Sequence, residues 1–174
     1  MVSLRHALTR RRLLGAGLGF GVAAVVAGGG ARWLVSDRPS RLGRQALSAR
    51  EERVVGALAE AHFPPGNALG ISVLDVDVIS GADAYIAGLL PQESRLVRAL
   101  LTAFDQWPRL TLSSASTFSA LPLDERITEL RAFEESSVSE RRLIAALFRA
   151  LVGMPFFEDP RALASIGFVA GCAS

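Results

Sequence analysis

The chain of 174 residues has no lysine; all nineteen of its basic residues are arginine. It has one cysteine, Cys172, and two histidines, His6 and His62. One thiol excludes an internal disulfide, a cysteine-rich zinc site and c-type haem attachment. In an oxidising compartment Cys172 either stays free or pairs with another chain. A single histidine beyond the first residues leaves no His–His or His–Cys pair for a metal. There is no Gly-x-Ser-x-Gly elbow, no phosphate loop and no dinucleotide fingerprint. No two strand-like runs flank a tight turn, and there is no internal repeat. These absences exclude the familiar ways of building a catalytic centre and a β-rich fold.

What is present begins with charge segregation. Residues 1–31 hold Arg5, Arg10, Arg11 and Arg12 and no acid, and residues 13–31 carry no charge at all. A basic segment, an apolar segment and then small residues is the arrangement of an export signal. Arg10 and Arg11 before Leu13-Leu14 resemble the twin-arginine signal, with Leu13 where phenylalanine is usual. Seven glycines between Leu13 and Ala31 make the segment only weakly hydrophobic. The competing reading is a membrane anchor, since nineteen uncharged residues approach the ~20 needed to cross a bilayer. Small residues at 27–31 offer cleavage, but no single site stands out, and an uncleaved leader would itself serve as an anchor. Setting those four arginines aside leaves fifteen against seventeen acids, so the pI of 9.4 belongs to the leader and is no nucleic-acid footprint. Three regions follow: residues 1–35 as signal or anchor, 36–47 as a polar linker broken by Pro39 and Gly43, and 48–174 as one helical domain.

Within that domain the apolar spacing is helical. Ser48 and Glu51 have capping-box spacing and open a helix that ends at His62-Phe63, before Pro64-Pro65-Gly66. In residues 71–90, Leu74–Val78 alternates like a half-buried strand, but Leu74, Val78, Ala82, Tyr85, Ile86 and Leu89 form one helical face over a longer window, and length favours a helix. Pro91 opens the next, with Leu96, Val97, Leu100, Leu101, Phe104 and Trp107 on one side, and Pro108 closes it. Residues 109–120 read as a surface loop. Pro122 starts a helix that buries Leu123, Ile127, Leu130 and Phe133. Ser137 and Glu140 form a second box, leading into Leu143, Ile144, Leu147, Phe148, Leu151 and Val152 until Gly153 and Pro155 stop the helix. Asp159-Pro160 caps a last short helix ending at Gly167. The expected fold is all-α: a compact bundle of about five helices plus a short C-terminal one.

Few residues in this domain carry chemistry. His62 sits at a helix C-terminus, where an imidazolium would favour the dipole. Asp75 and Asp77 are two apart and would face different ways on a helix, which argues against a shared carboxylate site. Phe156 and Phe157 stand beside helix breakers; they either plug the end of the bundle or, with Met154, anchor another protein. No catalytic, cofactor-binding or metal-binding set can be assembled, which points to an accessory chain.

Three stretches carry a family resemblance. They are Leu47–Glu51 through Leu58–Pro64, Leu121 through Arg126 to Leu130, and Phe156–Arg161 through Ile166-Gly167-Phe168. In order and spacing they resemble the gluconate 2-dehydrogenase subunit 3 family, the small subunits of bacterial flavin-dependent sugar and polyol dehydrogenases. His62-Phe63 departs from the usual aliphatic pair, and the chain ends six residues after Phe168. The resemblance implies a non-catalytic subunit that binds no cofactor of its own. Its partner would be a large FAD-containing catalytic subunit of the glucose–methanol–choline type, co-exported by the twin-arginine translocase. A cytochrome c subunit or quinone would take the electrons. The protein would then reside in the periplasm or on the outer face of the cytoplasmic membrane, with Met154, Phe156 and Phe157 in the partner surface. The alternative from another class is a self-standing, membrane-anchored helical envelope protein with a structural role.

Overall fold

A computed structural model describes residues 43–168. Arg10, Arg11, Leu13, Leu14 and Cys172, and with them the export-signal reading, lie outside the described residues. Of the described residues 71% are helical and none is in a strand, so the fold is all-α. Among the described residues six α-helices run in order: α1 (Ala49–His62), α2 (Val78–Gly88), α3 (Pro91–Leu110), α4 (Leu123–Glu134), α5 (Ser139–Glu158) and α6 (Pro160–Ser165). Short 3-10 helices at Val73–Asp75 and Phe118–Ala120 interrupt the connections. None of these helices is long and apolar enough to cross a membrane.

Helix α1 is the central strut, packed against α2, α3, α4 and α5. Its start is the expected capping box: Ser48 Oγ accepts from the Glu51 amide and the Glu51 carboxylate accepts from the Ser48 amide at 2.7 Å. Glu51 is itself buried and also receives the Arg98 guanidinium from α3 at 3.1 Å, so one carboxylate caps a helix and crosslinks two. Around α1 the core has two aromatic centres. Phe104 contacts Phe118, Phe133 and Phe148, with ring centroids 4.6, 4.9 and 5.0 Å away. Phe63 stacks on Phe156 at 3.9 Å, with Phe157 edge-on to both.

Several local expectations are overridden by packing. The 71–90 stretch is a 3-10 turn followed by α2, with Asp77 capping through Ser80. Val78, Ala82 and Ile86 are buried as expected, whereas Leu74 is 76% exposed and Tyr85 largely open to solvent. Neither Pro108 nor Gly153 nor Pro155 stops its helix: α3 continues to Leu110 and α5 to Glu158. Each proline deletes one amide donor from its helix, and both rings are buried. The 109–120 segment is more than a surface loop, because Phe118 is fully buried against Phe104. Helix α5 has no Ser137 box; Val138 holds the N-cap position with no side-chain bond. Along α4 Leu130 and Phe133 are buried, but Leu123 and Ile127 only half so.

The end of the expected linker belongs to the bundle. The backbone amides of Gln45, Ala46 and Leu47 all donate to the Asp83 carboxylate on α2, at 2.8, 3.0 and 2.8 Å. Ala46 and Leu47 are buried. Burial pushes the Asp83 carboxyl up, but the three amides together outweigh it and, with Arg44 nearby, hold it below its ordinary value. Arg44 also reaches the Ser80 hydroxyl and lies 3.7 Å from Glu52.

Candidate partner-binding groove

Helix α5 is apolar on two faces. At 100° per residue, Ala145, Phe148, Leu151, Val152, Pro155 and Phe156 point one way, and all are buried. On the opposite side Leu143, Ala146, Ala150, Met154 and Phe157 recur every three or four residues. Leu143 is 72% exposed and Met154 44%. Leu143 was expected in the core; it lies almost opposite the centre of the buried face, so it faces solvent. Arg142 and Arg149 run along one edge of this second stripe, and Glu140 and Glu158 along the other.

The C-terminal half of the stripe deepens into a groove of about 630 Å³. Ala146, Ala150 and Gly153 form its floor, small residues that leave room for close approach. Met154 and Phe157 of the same helix line it too, as do His62 and Phe63 from the end of α1. Arg149 stands at the rim, ion-paired with Glu134 of α4.

Two of the three expected partner residues therefore lie in one place, and the third does not. Met154 and Phe157 line the groove. Phe156 has no exposed surface; it points into the core against Phe63, so it cannot serve as a docking residue. His62 and Phe63 were legible only as a helix end. They join the site because Pro64-Pro65-Gly66 ends α1 where α5 passes.

The expected imidazolium at the end of α1 is also corrected. Burial lowers the His62 pKa from 6.5 to about 4, against the pull of Glu134 and with a smaller push from Arg149. The ring is neutral at physiological pH. Its Nε2 is buried and has no hydrogen-bond partner among the described residues. The groove thus offers apolar area, and the unsatisfied ring nitrogen lies buried behind its lining. No nucleophile–base pair faces it, and the described residues hold no group of three or more potential metal ligands.

The two aspartates at 75 and 77 stay apart in role: Asp77 caps α2, while the Asp75 carbonyl accepts from Arg161 at 3.0 Å. No protein-family model, no curated protein and no solved structure matches this chain.

Proposed function

We propose that this chain is the non-catalytic small subunit of an exported FAD-dependent sugar or polyol dehydrogenase, and that the second face of α5 is where the catalytic subunit docks. The observation that carries the reading is that face itself. A surface helix of a self-sufficient domain needs only one apolar stripe, whereas a second exposed stripe ending in a walled groove marks a protein interaction site. The large Met154 and Phe157 side chains suit anchoring. The arginine edge and the glutamate edge favour a partner of opposite pattern. An antiparallel second copy would bring the two arginine edges together, which repels. The resemblance to the gluconate 2-dehydrogenase subunit 3 family and the leader that resembles a twin-arginine signal support the choice of partner. A leader that carries folded cargo suits a subunit escorting a cofactor-loaded enzyme.

The test is co-purification. The tagged chain, expressed with a neighbouring FAD oxidoreductase lacking its own signal, should bring down a protein with flavin absorbance. Leu143→Glu and Ala150→Glu, both at exposed positions, should abolish that recovery while leaving helicity unchanged. A dehydrogenase that is exported and fully active without this chain would overturn the proposal, as would sugar oxidation by this chain alone.

A further inference from the structure

A second groove, of about 450 Å³, lies on a different side of α1, between its first turns, the end of α3 and the 117–120 segment. Three of its lining residues are arginines: Arg50 and Arg53 from α1, and Arg109 from α3. Its one carboxylate is Asp105, which is only 2% exposed and sits beneath Arg50. The lining therefore carries three cationic groups against one acid.

The arginines are held rather than loose. Asp105 accepts from Arg50 Nη2 at 3.1 Å and is itself fixed by the Ser119 amide and hydroxyl at 3.0 and 2.8 Å. Arg109 Nε donates to the Ala115 carbonyl at 2.9 Å, and Arg53 Nη1 to the Ala49 carbonyl at 3.1 Å. Each contact ties one edge of a guanidinium and leaves its remaining N–H donors without another hydrogen bond among the described residues. Neither Arg53 nor Arg109 belongs to any ion pair among the described residues. Planar guanidinium forks of this kind match the oxygens of a phosphate two at a time. Fixing them in advance lowers the entropy lost when a ligand binds.

The lining also bears on ligand size and type. Ala120 is its one apolar residue, the others being Gln106, Thr117, Ser119 and the charged groups. A protein-docking groove has a centre of apolar and aromatic side chains, whereas this one is lined mainly by polar and charged residues. From these observations we infer an oxyanion site for a phosphate-class ligand, with Arg53 and Arg109 as its principal donors and Arg50, set by Asp105, as a third. The phosphate is either free or the headgroup of an anionic lipid. This site is separate from the α5 groove and does not depend on the dehydrogenase reading.

The full chain titrated with inorganic pyrophosphate in a calorimeter should show saturable binding that weakens as salt is raised. The double variant Arg53→Gln/Arg109→Gln should lose about tenfold or more in affinity, since each charge-assisted bond removed is worth that order. Arg53→Lys/Arg109→Lys keeps the charge and should fall between the two, because the forks are lost. The leader arginines are common to all three proteins and cancel in the comparison. Vesicles of phosphatidylcholine containing phosphatidylglycerol separate the sources. Capture that weakens in the glutamine variant and is competed by pyrophosphate assigns the site to a headgroup; capture unaffected by the variant assigns it to free phosphate. Absence of saturable binding to pyrophosphate and to the anionic vesicles, or pyrophosphate affinity unchanged in the glutamine variant, would overturn the inference.

Discussion

Gly81 of α2 lies against Pro155 of α5 so closely that a Cβ at residue 81 would stand 2.4 Å from the proline Cβ and 2.9 Å from its Cγ. The two helices cross at a point where only a glycine fits. The facing group is a rigid ring with a backbone atom 3.5 Å behind it, so it cannot swing aside.

Gly81→Ala should therefore destabilise the protein by about 1–3 kcal/mol, although alanine is the better helix former. Chemical denaturation measures this directly. A neutral or stabilising result would mean that α2 and α5 do not cross this closely.

Asp83→Asn should destabilise the fold by about 1–3 kcal/mol at pH 7, because an amide cannot accept from three backbone N–H groups as a carboxylate does. Asp83 has a folded pKa below its ordinary 3.8, so its contribution is present above that value and is lost as pH falls through the folded one. The gap between wild type and variant should close in acid. Denaturation curves at pH 7 and at successively lower pH under 3.8 test both the size and the sign.

His62 acts with the other sign from the usual paired histidine. Its folded pKa of about 4 lies below the ordinary 6.5, so the unfolded chain binds the proton more readily between those values. Stability should fall as pH drops from 6.5 to 4, by about 3 kcal/mol over the whole window, and level off below it. His62→Gln should remove that slope. An NMR titration giving an imidazole midpoint near 6.5 would show the ring to be solvated.

Adjacent phenylalanines should behave differently. Phe156→Ala should cost about 3–5 kcal/mol, as expected of a fully buried ring that loses its stacking on Phe63. Phe157→Ser, at the half-buried groove wall, should cost less stability and show its main effect as reduced recovery of flavoprotein with the tagged chain. Reversal of that order would place the docking surface elsewhere.

Export can be tested without the fold. Arg10→Lys with Arg11→Lys preserves charge and should trap the protein in the cytoplasm if the twin-arginine machinery reads the leader. Because Arg12 offers a shifted pair, the triple substitution is the control. Normal envelope localisation of the triple variant removes the export premise.

Much of the fold was legible because its signals are local. The Ser48–Glu51 box, Pro91 at the start of α3 and Asp159-Pro160 before α6 act within one turn, and each element starts where those residues place it. The failures share a cause at longer range. Pro155 reads as a stop, yet α5 runs on through it with its ring buried against a glycine 74 positions earlier. Gln45–Leu47 read as linker because their anchor, Asp83, lies more than thirty residues away. Of the groove, Met154 and Phe157 could be picked by residue type alone. His62 could not, since its place depends on α1 meeting α5. The second stripe of α5 was visible in principle: Ala146, Ala150 and Gly153 follow helical spacing on the side away from Phe148 and Val152.

The Asp83 clasp also sets a length. Once the amides of residues 45–47 are held on α2, only residues 36–44 separate the bundle from the apolar leader. Fully extended, that span reaches at most about 30 Å. If the leader stays in a membrane, the bundle is leashed within roughly its own width of the bilayer. So short a leash would set a ceiling on the height of the bundle, and of anything bound to it, above the membrane.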